Sequence, residues 1–207
     1  MRLIQTDVPR IPILDPGHGL LYALAGGRKI ADDKGLFCEG EFNRAVVNRV
    51  IEILVKKQIP FFVTTVDHED MDLDERVRIA NDLYEQQPGL YFLSVHSNAG
   101  GGVGCEVYTS PGETTSDKIA THFGLMFQQT DLIHWGLRKD TTDGDLDKEH
   151  PYRVLTHTIS PAILWEFFFF DVAAQRHMLL DPVFRQKIVD FLVAGIEILY
   201  QGKMYVL

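Results

Sequence analysis

The stretch "GLYFLSVHSN", residues 89–98, decides the fold class. Its middle is apolar without alternation, a pattern that is typical of a strand covered on both faces within a parallel sheet. The stretch ends in polar residues, among them His96 and Asn98. In open α/β sheets, ligands bind at the carboxyl ends of the strands. The stretch therefore predicts a central strand of an α/β sheet whose end carries side chains capable of chemistry.

Strand and helix patterns alternate on both sides of this stretch. Further strands are predicted at "RIPILD" (10–15), "PFFVTTV" (60–66), "GCEVYTS" (104–110), "YRVLTH" (152–157) and "PAILWEFFF" (161–169). Helical spacing of apolar residues predicts helices over 41–57, 73–86, 114–129 and 182–200. This order predicts one three-layer α/β domain over residues 1–207, with a mostly parallel or mixed twisted sheet of about six strands and helices on both faces.

The ends and loops of these elements carry further signals. Asp181 is the expected N-cap of the last helix and Pro182 its first residue. Segments 20–38 and 129–150 fit neither strand nor helix and are rich in Gly, Asp, Thr and Lys. Long loops in compact α/β domains commonly form lids or substrate-binding walls. We expect that role for both segments.

The charge balance excludes several classes of partner. The formal net charge is −9, which is unsuited to neutralising nucleic-acid phosphates or adhering to anionic lipid. The two cysteines, Cys38 and Cys105, cannot build a disulfide framework, although the sequence leaves open whether they pair. No signal-peptide pattern opens the sequence. We therefore expect a monomer that is made in the cytoplasm, binds neither nucleic acid nor membrane, and works elsewhere only after release.

The segment "IPILDPGHGL", residues 11–20, ends a strand with a histidine between two glycines. A lone histidine at a strand end is more often a hydrogen-bonded structural residue than a metal ligand. Gly17 and Gly19 are expected to adopt backbone angles that bulkier residues avoid, and so to aim the imidazole of His18 outward. The segment alone leaves both readings of His18 open.

Other strand ends add polar residues to the same edge. His96 ends the central strand, Glu166 lies in the last strand, and Glu39 stands where the first long loop enters a helix. Two histidines and a glutamate are the ligand types of catalytic zinc, with water in the fourth position. Glu166 suits a general base, because its bulky neighbours Trp165 and Phe167 should exclude water and raise its pKa. It could instead be a buried ion-pair partner.

One further histidine, His122, falls inside an amphipathic helix pattern. Its place within that pattern predicts a position at the surface or at the boundary of the core. It is not a candidate ligand.

The ordered motifs resemble those of the zinc-dependent N-acetylmuramoyl-L-alanine amidases of the Amidase_3 type, over about residues 11–200. The matching segments are D-P-G-H-G (15–19), E-x-x-x-N (39–43), "RVRIAN" (76–81), S-x-H-x-N-A (94–99), "GCEVY" (104–108) and P-A-x-L-x-E (161–166). Two departures stand out. Thr65 stands where members of the family often have an arginine, and the loop 129–150 aligns with the family only at "GLRK". These departures leave substrate preference open.

The resemblance implies a ligand set for one zinc ion. His18, Glu39 and His96 would be the ligands, with Glu166 as the catalytic glutamate. Glu41 is the alternative to Glu39, but only Glu39 stands four residues before the asparagine of the motif. A carboxylate in the first turn of a helix is favourable in either case.

Three more residues are candidates beside this set. Asn98 and Arg138 are expected to contact substrate or the developing oxyanion. Asp15 is expected either to accept the ring N–H of His18 as a second layer of the metal site or to hold the turn in place.

The implied activity is zinc-dependent hydrolysis of the amide bond between N-acetylmuramic acid and L-alanine of peptidoglycan. A chain with no signal peptide would suit a phage or prophage lytic enzyme that reaches the wall, in the periplasm, after release from the cytoplasm. Two alternatives on the same fold are a non-catalytic peptidoglycan-binding module and a metallopeptidase that cuts within the stem peptide.

Overall fold

The computed structural model describes residues 1–20, 26, 28–66, 69–142 and 144–207. The strands are β1 (Arg2–Gln5), β2 (Ile11–Pro16), β3 (Lys29–Asp32), β4 (Gly35–Cys38), β5 (Phe62–Val63), β6 (Leu90–Asn98), β7 (Glu106–Thr109), β8 (Lys148–Glu149), β9 (Ala162–Phe169) and β10 (Lys203–Val206). The α-helices are α1 (Glu39–Lys57), α2 (Leu73–Gln86), α3 (Thr115–Phe127), α4 (Arg153–Thr156), α5 (Ala173–Leu180) and α6 (Pro182–Tyr200), and a 3-10 helix covers Asp131–Trp135.

A mixed sheet of six strands, in the order β5-β2-β6-β9-β7-β8, forms the middle layer. Strands β5, β2, β6 and β9 run parallel, β7 runs antiparallel to β9, and β8 pairs parallel with β7. Strand β6 lies inside the sheet, between β2 and β9, and its residues 90–95 are all buried. The predicted α/β fold with a mixed sheet of about six strands is therefore confirmed.

Alternate residues of β6 pack into two separate apolar clusters, one on each face of the sheet. Leu93 and Val95 join the larger cluster, together with apolar residues of α1, α3 and α6. Leu90 and Phe92 join the smaller cluster, which α2 and α4 cover. Because successive side chains of a strand point to opposite faces, each helical layer meets its own set of sheet residues. The helices on both faces follow from this continuous apolar strand.

Several predicted boundaries differ from the structure. The predicted strand 152–157 is wrong, since helix α4 forms there and packs Val154 and Leu155 into the smaller cluster. The predicted strand 60–66 shortens to the two residues of β5, and the predicted helix 41–57 begins at Glu39. Strands β1 and β10 and helix α5 were not predicted.

The described parts of the two unassigned segments contain regular secondary structure. Segment 20–38 contains the β3–β4 hairpin, and segment 129–150 contains the 3-10 helix and β8. Residues 21–25, 27 and 143 of these segments lie outside the described residues. The predicted cap of α6 is confirmed, because the Asp181 carboxylate accepts a hydrogen bond from the Val183 N–H.

His122 is fully buried, so its predicted place at the surface or boundary is wrong. Strand β10 covers this face of α3, and the Tyr205 N–H donates to His122 Nδ1 at 3.0 Å. His122 Nε2 lies 3.1 Å from the Gly195 carbonyl and donates to it. Burial outweighs the carbonyl contact and lowers the pKa of His122 to about 4. The imidazole is thus a neutral link between α3, α6 and β10.

Within the described residues, no helix combines the length and the apolar character that crossing a membrane requires. Cys38 and Cys105 are both buried and unpaired with each other.

Candidate metal centre and active site

Three side chains from distant parts of the chain meet at the carboxyl ends of β2 and β6. His18 Nε2 lies 3.5 Å from Glu39 Oε1, and His96 Nδ1 lies 3.3 Å from the same oxygen. The ligand atoms of all three residues lie within 4.8 Å of one another. Ligands of a tetrahedral zinc ion at about 2.0–2.1 Å are separated by about 3.3 Å. The donor set and its spacing therefore fit a zinc ion.

The turn after β2 presents His18 through its own unusual backbone. His18 has φ of 55°, whereas Gly17 and Gly19 have no positive φ. The expectation that the glycines supply unusual backbone angles is therefore wrong. Instead, a Cβ at Gly17 would come within 2.0 Å of the His96 ring. The glycine is needed because the imidazole of His96 packs directly against the turn.

Glu39 begins helix α1 and is fully buried. Although burial raises the pKa of Glu39, its contacts with His96, His18 and Arg28 outweigh burial and lower this pKa to about 2. Arg28 Nη1 adds a contact of 2.9 Å to Glu39 Oε2. Glu41 instead points away, in a salt bridge of 2.8 Å with Arg185, its side chain 46% exposed. Of the two candidate glutamates, only Glu39 lies among the histidines.

A hydrogen-bond relay decides which nitrogen of His96 faces the metal position. Ser94 Oγ donates its one proton to Asp15 Oδ2 at 2.6 Å. The same oxygen lies 3.1 Å from His96 Nε2, so it must accept a proton from that nitrogen. In the neutral imidazole, Nδ1 of His96 is then the nitrogen without a proton, as a metal ligand requires. The relay orients His96 through Ser94.

Asp15 is buried, and its carboxylate accepts hydrogen bonds from three side chains. Besides Ser94, these are Thr64 at 2.6 Å and Arg76 Nη1 at 2.5 Å. Arg76 also donates to the Pro16 carbonyl at 2.9 Å, which fixes the end of β2. Asp15 thus holds the turn and reaches the metal cluster through the relay to His96. The expected contact with the ring of His18 is not among these hydrogen bonds.

Glu166 lies beside this cluster in β9. It pairs in register with His96 on β6, so both side chains point to the same face of the sheet. Its Oε2 is buried without a hydrogen-bond partner, and burial raises the pKa of Glu166 to about 8. Trp165 and Phe167 pack into the larger apolar cluster on the opposite face. The expectation that they surround the carboxyl is therefore wrong.

A pocket of about 590 Å³ opens over the cluster and Glu166. Residues from loops and from the ends of strands and helices line it, among them Arg28, Met71, Asn98, Tyr152 and Arg153. Its volume lies in the range of sites for small molecules. His18, His96 and Glu166 are thus accessible from one side of the molecule.

The Amidase_3 model, described as N-acetylmuramoyl-L-alanine amidase, matches residues 13–198. The chain belongs to this amidase family.

Two curated relatives are N-acetylmuramoyl-L-alanine amidase CwlM of Bacillus licheniformis and the sporulation-specific N-acetylmuramoyl-L-alanine amidase of Bacillus subtilis (strain 168). The first is 26% identical over 185 residues, 84% of this chain and 62% of the relative. The second is 26% identical over 186 residues, 89% of this chain and 66% of the relative. The chain therefore spans just under two thirds of the length of these relatives.

Among solved structures, the catalytic domain of the amidase CwlV from Paenibacillus polymyxa resembles this fold. The TM-score is 0.70 at 23% identity, covering 90% of this chain and 96% of that domain. This likeness supports the three-layer fold.

The amidase family motifs have structural roles in this chain. The Asn43 amide donates to the Gly17 carbonyl at 2.8 Å and so ties the first turn of α1 to the turn that carries His18. Arg44 donates to the His18 carbonyl. Asn81 accepts from the Ile159 N–H at 2.9 Å and donates to the His157 carbonyl at 3.0 Å, which anchors the segment between α4 and β9.

Glu106, in the "GCEVY" motif, is a site residue that the sequence analysis did not single out. It pairs in register with Glu166 across β7 and β9, so His96, Glu166 and Glu106 form one row across the sheet. Asn98 donates to Glu106 Oε2 at 2.6 Å, and Arg138 Nε donates to Oε1 at 2.7 Å. The two predicted substrate residues therefore meet at this carboxylate. The available signal in the sequence was a glutamate between the apolar residues Cys105 and Val107 of a predicted strand, since glutamate is rarely buried without a partner.

Proposed function

We propose that this chain hydrolyses the amide bond between N-acetylmuramic acid and L-alanine of peptidoglycan, in a zinc-dependent reaction carried by one catalytic domain over residues 1–207. The observation that carries the proposal is the juxtaposition of a His18–Glu39–His96 cluster with the buried Glu166 carboxyl, whose Oε2 has no hydrogen-bond partner among the described residues. Membership of the amidase family supports the substrate class.

His18 Nε2, His96 Nδ1 and a carboxylate oxygen of Glu39 would hold the zinc ion. When bound, such an ion polarises the substrate carbonyl and lowers the pKa of a coordinated water. The negative charge of Glu39 attracts a cation, and Nδ1 of the neutral His96 imidazole carries no proton and can bind it. The Ser94 relay keeps His96 in that tautomer.

Glu166 would act as the general base and then the general acid. Its carboxylate takes a proton from water as the oxygen of that water bonds to the carbonyl carbon. As the C–N bond breaks, the same carboxyl returns the proton to the departing amine of alanine. Burial favours its protonated form, and this makes Glu166 a good donor in the second step.

Asn98 would assist at the developing oxyanion. Its side chain lines the pocket, and its Oδ1 accepts from the Ala99 N–H at 2.8 Å. One of its two amide hydrogens is committed to Glu106. The other is available to substrate as a fixed donor.

The test is digestion of purified peptidoglycan by the zinc-loaded protein, followed by mass analysis of the products. We expect free stem peptides that begin with L-alanine. Peptides cut internally would indicate a peptidase instead, and absence of products would indicate a binding module.

The variant Glu166→Gln should keep zinc and fold but lose about 10²–10⁴-fold in hydrolysis, the usual contribution of acid–base catalysis. Zinc content by atomic absorption and a circular dichroism spectrum provide the controls. Near-normal activity of this variant would remove Glu166 from the mechanism.

We further propose a phage or prophage lytic role for the chain, acting on peptidoglycan as a monomer after release from the cytoplasm. The acidic character of the chain, at net charge −9, supports a small muropeptide substrate over a nucleic acid or an anionic membrane.

A further inference from the structure

Glu106 and Glu166 are neighbours in the same row of the sheet, yet their surroundings are opposite. Both carboxyls are paired across β7 and β9, where directly opposed Cβ atoms lie about 5 Å apart. Glu166 has an oxygen without a partner, whereas Glu106 is surrounded by donors. The mechanism above uses only Glu166. The role of the second carboxylate needs a separate explanation.

Four hydrogen bonds saturate the Glu106 carboxylate. Oε1 accepts from Arg138 Nε at 2.7 Å and from Lys148 Nζ at 2.6 Å. Oε2 accepts from Asn98 Nδ2 at 2.6 Å and from Tyr108 Oη at 2.8 Å. An ionised carboxylate offers about four acceptor positions, so none remains for a metal or a substrate proton. Glu106 therefore acts by holding other groups in place.

Arg138 is held at three points. Besides its Nε contact, its Cζ lies 5.3 Å from the centre of the Phe169 ring, and its backbone N–H donates to the Cys105 carbonyl at 2.8 Å. Among the described residues, its Nη1 and Nη2 atoms have no hydrogen-bond partner, and the side chain is 44% exposed. A guanidinium fixed at Nε with its outer edge open matches the planar geometry of a carboxylate.

The charges of this cluster do not cancel. Arg138 and Lys148 carry two positive charges, and Glu106 carries one negative charge. Among these three groups one positive charge is in excess, and the exposed Asp140 carboxylate also acts on Lys148, so the excess charge is assigned to the open edge of Arg138. Because β7 and β9 are adjacent, the Glu106 carboxylate that holds both cations lies beside Glu166, on the β7 side of the proposed reacting amide. An anionic group of the substrate, near the cleaved bond, would complete the cluster.

We propose that Glu106 is a positioning residue that fixes Arg138 and Lys148 as a subsite for a substrate carboxylate. The carboxylate belongs to the residue that follows L-alanine in the stem peptide, so the chain prefers stems in which that group is a free acid over stems in which it is an amide. This inference rests on the proposed amidase function.

The test compares two soluble substrates with the zinc-loaded protein. They are N-acetylmuramoyl-L-alanyl-D-glutamine and its α-amide. In both substrates the γ-carboxyl is an amide, as in the intact stem, so the two differ only by a free α-carboxylate against a carboxamide. Release of the dipeptide gives kcat and KM for each. We expect a KM about tenfold lower for the acid, with kcat similar, since one charge-assisted contact is gained in binding.

The variant Arg138→Gln should raise KM for the acid substrate about tenfold and leave the amide substrate within about twofold. Glu106→Gln should produce the same loss of preference, because the two cations are no longer held in place. Lys148→Gln should also reduce the preference for the acid substrate, and it tests the subsite if Glu106→Gln does not fold. Arg78→Gln is the matched control, because Arg78 is an exposed arginine that pairs with Glu75 and Asp82 on α2.

Equal KM values for the two substrates in the wild type would overturn the subsite while leaving the amidase function intact. So would an Arg138→Gln variant that weakens both substrates alike. Release of no dipeptide from either substrate would instead overturn the proposed function, and the subsite with it.

Discussion

The row His96, Glu166 and Glu106 shows how single residues acquire different chemistry on a uniform scaffold. All three side chains point to one face of the sheet, through the register of β6, β9 and β7. Hydrogen bonds from Lys148, Arg138 and Tyr108 outweigh burial and hold the pKa of Glu106 low, whereas burial of an unpaired oxygen raises the pKa of Glu166 to about 8. Carboxyls whose environments push their pKa values apart are suited to separate roles.

The two glutamates at the start of α1 give a paired test of the metal site. Glu39→Gln removes the buried anion among the histidines and should lower zinc affinity by at least about a hundredfold. Glu41→Gln removes only an exposed salt bridge with Arg185 and should leave zinc affinity unchanged. A competing chelator measures both values. Equal affinities in the two variants would contradict the assignment of Glu39.

The relay through Ser94 makes its own prediction. Ser94→Ala should weaken zinc binding by about tenfold or more, because His96 loses the acceptor that holds its tautomer. Thr64→Ala is the control, since Thr64 donates to the same Asp15 carboxylate without contacting His96. Zinc titration of both variants decides the matter. An effect of the same size in both would assign the loss to Asp15 and not to the relay.

At the scale of elements, long periodic segments were predictable and short ones were not. Helices α1, α2, α3 and α6 carry apolar residues at helical spacing over three or more turns, which no strand shares. The run 152–157 contains Tyr, Val and Thr, residue types that are enriched in strands, yet α4 forms there. A segment of this length holds too few residues to distinguish the two periods. The four-residue strands β1 and β10 carry too little pattern to be recognised.

The burial of His122 illustrates a tertiary cause that a helix pattern cannot contain. Strand β10, about 80 residues further along the chain, covers the polar side of the imidazole and supplies its donor. The periodicity of α3 predicts which residues face the sheet, but not that a second element covers the opposite side.

This buried imidazole predicts a pH dependence of stability. The folded-state pKa of His122, about 4, is below the usual value of 6.5, so unfolding binds a proton between these values. The stabilisation that the neutral, buried His122 contributes to the folded state is present in full above pH 6.5 and is lost as the pH falls towards 4. We expect His122 to lower the free energy of unfolding by about 2 kcal/mol between pH 7 and pH 5.

Urea denaturation at both pH values checks this prediction. His122→Gln, which cannot titrate in this range, should be less stable at pH 7 and should lose less stability on acidification than the wild type. An identical loss in both proteins would assign the pH dependence to other groups.

At the scale of the whole molecule, the sequence located the carboxyl edge of the sheet but not the connections within it. His18 follows a predicted strand, and His96 and Glu166 lie in the second halves of two others, so topology alone brings the three residues towards one edge of the sheet. The Ser94–Asp15 relay and the cations around Glu106 depend on side-chain geometry across several strands. Strand prediction carries no such information, because register and loop position decide those contacts.

The proposed lytic role predicts how the whole protein behaves in cells. Expressed alone in the cytoplasm of Gram-negative cells, the chain should leave culture turbidity unchanged. Co-expression with a pore-forming membrane protein should clear the culture within minutes, and Glu166→Gln should abolish the clearing. Lysis by the wild type without a membrane lesion would contradict the predicted need for release.

The antiparallel pairing of β1 with β10 brings Arg2 opposite Val206. A peptide of a few residues could therefore join residue 207 to residue 1, because loop closure over so short a span costs little entropy. The closed chain could be reopened in the exposed segment around Gly100 and Gly101, which precedes β7. The helices and strands could thus follow one another in a different order along the chain and still occupy the same places in the fold. A circularly permuted version should assemble the same row of side chains from a different starting point.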